Sequence, residues 1–242
     1  MGLCMINEII FLILAFVMSI ISATFGFGSA IILIPFSSFL LPIKKAIAIV
    51  TIFFITGSLS KIIIFRKHID WKTTFLIWLG AVPMVVMGAY LMAIAPSEII
   101  KKFLGVIILL YVINDYFNFT KHIKLNKIAI AGAGGAYGFF TGIIGTGSAI
   151  KAALLTHLGL RKERFIAVMA TSAILLNIIK TIIYSKFSLI SQSDIPLIIG
   201  LVLCAFGGAY VGRNLVKKVH PDTFKKIILI ILTIVSIKLL FF

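Results

Sequence analysis

The chain has 242 residues, 61% hydrophobic and only 12% charged, with 23 Lys+Arg against 7 Asp+Glu for a net charge of +16. Its mean hydropathy is +1.20, and several apolar runs approach the ~20 residues needed to cross a bilayer. This excludes a soluble fold, and the lack of polar–apolar alternation excludes a membrane barrel, so the fold class is all-α and polytopic.

In chain order, helical pieces are predicted at 9–24, 29–41, 45–65, 72–94 and 99–117. A linker, 118–126, leads to a second set at 127–143, 148–158, 163–185, 194–213 and 222–241. Met1 to Glu8 carries no basic residue, so the first apolar stretch is expected to be retained rather than cleaved as a signal. The first two pieces of each set are short and are joined by a glycine-rich break. Each pair is read as a hairpin, 9–41 and 127–158.

The two sets are related. Gly26-Phe27-Gly28-Ser29-Ala30 matches Gly145-Thr146-Gly147-Ser148-Ala149 at an offset of 119, which also puts Lys61 on Lys180. One inserted residue later, Gly88-Ala89-Tyr90 matches Gly208-Ala209-Tyr210. Ordered matches at a near-constant offset indicate a duplication, with 1–117 as repeat 1 and 127–242 as repeat 2.

Basic residues orient the helices, because cytoplasmic loops carry the excess of Lys and Arg. Setting aside Lys61, Lys151 and Lys180, which lie inside apolar runs, 20 of the 23 remain. If each glycine-broken pair is a hairpin, 14 fall on one side, including Arg66, Lys67, Lys72, Lys127, Arg161, Lys162, Arg164 and Arg213, against 6 on the other. If each pair crosses once, the split is 12 to 8. The hairpin gives the stronger bias. Each half then crosses an odd number of times, the halves are inverted, and both termini lie outside. Positive loops of this kind serve topology, so no nucleic-acid partner is expected.

Three features carry chemistry. Gly26, Gly28, Gly145 and Gly147 break helices inside the membrane, with Ser29 and Ser148 placed to cap the helices that follow and Thr146 beside them. Helix N-termini attract anions, and the two breaks are expected to face each other. Glycine packing is the plainer reading of any one break. Next come the intramembrane lysines. Lys61 and Lys180 each follow a polar residue by one turn, Ser58 and Asn177, and Lys151 lies three residues after Ser148. Snorkelling to the interface is the plainer reading for Lys61 and Lys180. Finally, the acids Glu8, Asp70, Glu98, Asp115, Glu163, Asp194 and Asp222 all fall at or near loops; Glu163, Asp194 and Asp222 are first residues of predicted helices, and only Asp115 lies further within one, near its end. An interior with lysines and helix N-termini but no acids suits an anion and argues against a metal or cation.

Gly88-Ala89-Tyr90 and its repeat read as helix packing. Cys4 and Cys204 form no framework, and His157 shows no metal spacing. Neither catalytic residues nor a cofactor is expected, although Ser148 and Lys151 share a helix face and leave a Ser/Lys nucleophile as a minor alternative.

The stretches Gly26-Phe27-Gly28-Ser29-Ala30-Ile31-Ile32-Leu33-Ile34-Pro35, Gly142-Ile143-Ile144-Gly145-Thr146-Gly147-Ser148 and Phe165-Ile166-Ala167-Val168-Met169-Ala170-Thr171-Ser172 resemble the motifs of the TauE/SafE sulfite-exporter family of permeases. The likeness covers nearly the whole chain. It departs from the pattern in one Ser per glycine run, in the lack of a second-half proline matching Pro35, and in Lys151. The resemblance implies a plasma (inner) membrane permease for sulfite or organosulfonates. The expected partners are a small anionic substrate and membrane lipid, with a homodimer left open. A passive anion pore and a non-transporting accessory subunit are the alternatives.

Overall fold

The computed structural model describes residues 2–25, 29–117, 126–160, 162–215 and 232–240, and among them ten helices and no strand. They are α1 (Gly2–Phe25), α2 (Ser29–Leu40), α3 (Ile43–Phe65), α4 (Trp71–Ile94), α5 (Ser97–Phe117), α6 (Lys127–Ile144), α7 (Ser148–His157), α8 (Lys162–Lys186), α9 (Ile195–Leu215) and α10 (232–240). Stretches covering Ile43–His68, Trp71–Ile94, Lys127–Ile144, Glu163–Lys186 and Gln192–Gly212 are each long and apolar enough to cross a membrane. The protein is a multi-pass, all-helical membrane protein.

Local chemistry sets the boundaries. Asp70 caps α4 by accepting from the Thr73 amide at 3.1 Å, and Asn126 caps α6 through the Ala129 amide at 2.7 Å. Pro42 separates α2 from α3. A capping box between Ser191 and Asp194 opens the turn before α9.

One expected length is corrected. α1 has 24 residues, about 36 Å, and begins well before the predicted position 9. Exposed Ile6, Ile9 and Ile10 extend its outward apolar face toward the terminus. The pieces after the breaks are short, 12 residues in α2 and 10 in α7. Of the predicted 222–241 helix, 232–240 is helical and 222–231 lies outside the described residues, as do Gly26, Gly28 and linker positions 118–125.

The principal helix pairs link the two halves. α4 lies along α6, and α1 along α9. Glycine makes both contacts close. A Cβ on Gly134 would meet the Ile77 carbonyl at 2.6 Å, one on Gly142 would meet the Val85 carbonyl at 2.7 Å, and one on Gly138 would collide with the Ala81 backbone. The register advances together, from 77 with 134 to 85 with 142, so α4 and α6 run parallel. Leu12 packs on Gly200 and Ser19 on Gly208, so α1 and α9 also run parallel. The packing expected of Gly88 and Gly208 is present, against α6 and α1 respectively.

Other contacts fix the remaining directions. Lys44 at the start of α3 donates to the Ala93 carbonyl at the end of α4, so these two are antiparallel. Lys61 near the end of α3 donates to Ser22 near the end of α1 at 2.7 Å, whereas Lys45 pairs with Asp194 just before α9 at 2.6 Å. Hence α1, α3 and α9 share one direction, and α4 and α6 the other. Buried side chains form two clusters. The larger draws on α1, α2, α3 and α9, with α5, α10 and the ends of α4, α6 and α8; the smaller on α6, α7 and α8 with α4. Each half's first three helices therefore close over the fourth helix of the other half.

Candidate functional site

The break between α6 and α7 is fully described. Gly145 ends α6 at φ +80°, a left-handed conformation that glycine adopts without strain. The chain must turn there in a tight space, since a Cβ would come within 2.8 Å of Ile34 Cδ1 and 3.0 Å of Ile47 Cγ2. The last carbonyls of α6 lack intrahelical donors. α8 supplies them: Lys180 donates to the Gly145 carbonyl at 3.0 Å, and Tyr184 donates to the Gly142 carbonyl at 2.6 Å. A cation at a helix C-terminus also complements its dipole.

The start of α7 differs from the expectation. Ser148 is the first helical residue, and the cap position belongs to Gly147, which has no side chain to cap with. The capping oxygen is instead Thr146 Oγ1, 3.4 Å from the Ser148 amide and 3.2 Å from Ser148 Oγ. The equivalent cap of α2 cannot be compared, because Gly26, Gly28 and the Ser29 side chain lie outside the described residues.

Lys151 lies one turn into α7 and is 2% exposed. Its ammonium donates to Tyr137 Oη at 2.9 Å and to the Met169 carbonyl at 2.8 Å. An ammonium has three donors, so one remains for a ligand. Among the described residues the ion pairs are Lys45–Asp194 and Lys101–Glu98, so none of the three interior lysines has a carboxylate partner. No group of three or more metal-ligating side chains occurs among the described residues.

The two polar residues one turn before the equivalent lysines are also buried. Ser58 is 8% exposed and Asn177 5%, and neither side chain has a hydrogen-bond partner among the described residues. The sequence reading missed Tyr137, Ser22 and Tyr184. A lone tyrosine in the glycine-rich α6 was the available signal for the first.

The expected meeting of the two breaks involves Gly26 and Gly28, which lie outside the described residues; the contacts beside each break are described. Ser22, beside the first break, meets α3 at Lys61, whereas Gly145 meets α3 at Ile47. These positions are about 14 residues apart, or about 21 Å along the helix.

The family model for sulfite exporter TauE/SafE matches residues 11–239. The chain belongs to the TauE/SafE family. The matched range takes in both glycine breaks and Phe165–Ser172, and the protein is a membrane permease of a family of transporters rather than enzymes. No curated protein and no solved structure matches the chain.

Proposed function

We propose that this TauE/SafE member is a secondary transporter that moves a small sulfur-containing anion, sulfite or an organosulfonate, across the plasma membrane. The observation that carries this reading is Lys151, an enclosed ammonium with a spare donor and no carboxylate partner among the described residues. A lysine at a helix centre costs roughly 2.5–3.5 kcal/mol on the insertion scale. Two further lysines of like charge add to that cost. A bound oxyanion supplies the missing counter-charge, with the Thr146 and Ser148 hydroxyls and the first-turn amides of α7 completing its shell.

We also read the halves, 1–117 and 127–242, as inverted repeats. Three observations support this. The offset of 119 makes α6 the equivalent of α1, the contacts run α1 opposite to α6, and the pairs α4–α6 and α1–α9 interchange when the halves are exchanged. The same directions gather Arg66, Lys67, Lys72, Lys127 and Arg164 at one membrane face, which supports reading that face as cytoplasmic and both termini as outside. Inverted halves rocking against each other would expose the site alternately.

The test is a thermal-shift screen of purified protein against sulfite, organosulfonates, thiosulfate, carboxylates and phosphate. A ligand at one hundred times its Kd stabilises the folded protein by about 2.7 kcal/mol. Sulfite or a sulfonate should raise the melting temperature, and Lys151→Met should abolish the rise. A response to cations alone would exclude the anion reading.

A further inference from the structure

Tyr137 lies inside α6 and is 3% exposed. Its ring is held in place by α7. A Cβ on Gly147 would meet the Tyr137 carbonyl at 2.6 Å and ring Cδ2 at 2.8 Å, so only glycine lets α7 start against it. The Lys151 ammonium lies 4.3 Å from the ring centroid, within the range of a cation–π contact. The same ammonium donates to the Tyr137 hydroxyl at 2.9 Å and to the Met169 carbonyl at 2.8 Å. A hydroxyl that accepts still has its own hydrogen to give, and an ammonium with two bonds made has its third. Two donors thus stand 2.9 Å apart in one enclosed place. Thr141 Oγ1, which flanks Gly147 beside the ring, is an alternative acceptor for the phenol hydrogen. An oxyanion bears charge and is roughly twice as strong an acceptor. Packing alone does not require the hydroxyl. At the offset of 119 Tyr137 corresponds to Met18, which sits buried in an apolar cluster.

We propose that Tyr137 is a specificity-determining residue, its O–H and a Lys151 N–H forming a fork that grips two oxygens borne on one atom of the anion. This rests on the anion reading above and narrows its substrate class to oxyanions, against halides and other anions that carry no oxygen. The ammonium alone would hold any small anion by charge. The phenol adds no charge and acts only where a second oxygen reaches it. Paired donors of this kind add geometric selection to electrostatic attraction. The hydroxyl of Tyr137 is therefore expected to matter for the choice between anions more than for the binding of anions in general.

The experiment titrates purified full-length protein, wild type and Tyr137→Phe, with sulfite, methanesulfonate and bromide by isothermal calorimetry. Phenylalanine keeps the ring beside the ammonium and removes one arm of the fork. Affinity for sulfite and methanesulfonate should fall at least about tenfold, and that for bromide should stay within about twofold. Where bromide is too weak to register, thiocyanate, also without oxygen, replaces it. An equal loss for every anion shows a purely structural role, and an unchanged sulfite affinity shows no role; either overturns the fork. Wild-type protein that holds bromide as tightly as sulfite also overturns it and leaves the anion reading standing. Wild-type protein that binds none of these anions overturns the anion reading and the fork together. Should Tyr137→Phe fail to fold, Tyr137→Met, which carries the first half's residue, takes its place, and sulfite should lose its advantage over bromide there too.

Discussion

The two halves share a backbone plan and differ in charge. At the offset of 119, Lys151 stands on Ile32, Tyr137 on Met18 and Met169 on Val50. All three first-half residues are buried in an apolar cluster. The same niche beside the short helix is oily in one half and holds an ammonium in the other. The long lysine stem fills much the same space as isoleucine, so one substitution moves a niche between packing and recognition without changing the helices around it. The outer ends differ in a similar way. Lys45 pairs with Asp194 at one face, while their equivalents at the other are exposed Arg164 and Thr74, whose hydroxyl lies 3.3 Å from that of Thr171. Duplication places the niches, and single side chains decide what each one does.

Swapping equivalent residues tests that comparison directly. The largest effect is expected from Lys151→Ile, which gives the second half the first half's residue. Sulfite flux should fall at least about a hundredfold while the melting temperature holds or rises, since replacing a buried unpaired charge with an apolar side chain is often stabilising. Wild-type flux in this variant would remove Lys151 from the site. The reverse exchange, Ile32→Lys, puts an ammonium among Met18 and Val50 with no partner waiting. A loss of about 3 kcal/mol or more is expected, read as a lower unfolding midpoint in detergent. Tolerance would mean that the two niches are equally polar. Tyr184→Phe restores the first-half residue Phe65 and leaves the Gly142 carbonyl without its donor. Its cost should be about 1–2 kcal/mol, with flux reduced only as far as the α6–α7 break loosens. The smallest change is expected from Asp194→Thr. It breaks the bond to Lys45, whose side chain is 35% exposed, but threonine remains able to cap. A loss near 1 kcal/mol or less is expected, and a large one would show that the ion pair latches that face.

Much of this was legible in the chain itself. Continuous apolar runs fix where helices lie, because in lipid the backbone has no other partner. Repeated glycines marked close helix approach, and interior lysines without acids suggested the anion that is proposed above. The pairing of α4 with α6 and of α1 with α9 was not legible, because small residues state that a face is close without naming its partner. The length of α1 was underestimated because weakly apolar residues at its start continue a helix that composition alone does not require. Thr146 rather than Ser148 serves as the cap because the turn at Gly145 sets where α7 begins, and that conformation is invisible in residue types. Tyr137 was overlooked because its role depends on Lys151 reaching it from another helix.

The exchange of fourth helices between the halves has a consequence for how the protein is made. α1 is synthesised long before its partner α9, which begins only at Ile195. Throughout most of synthesis the groove along α1 must be held by lipid or an insertion factor, and a chain halted after α5 can complete neither buried cluster. A half-length ancestor would have faced the same shortage. On the inverted-repeat reading proposed above, a second copy inserted in the opposite orientation would have supplied the missing fourth helix.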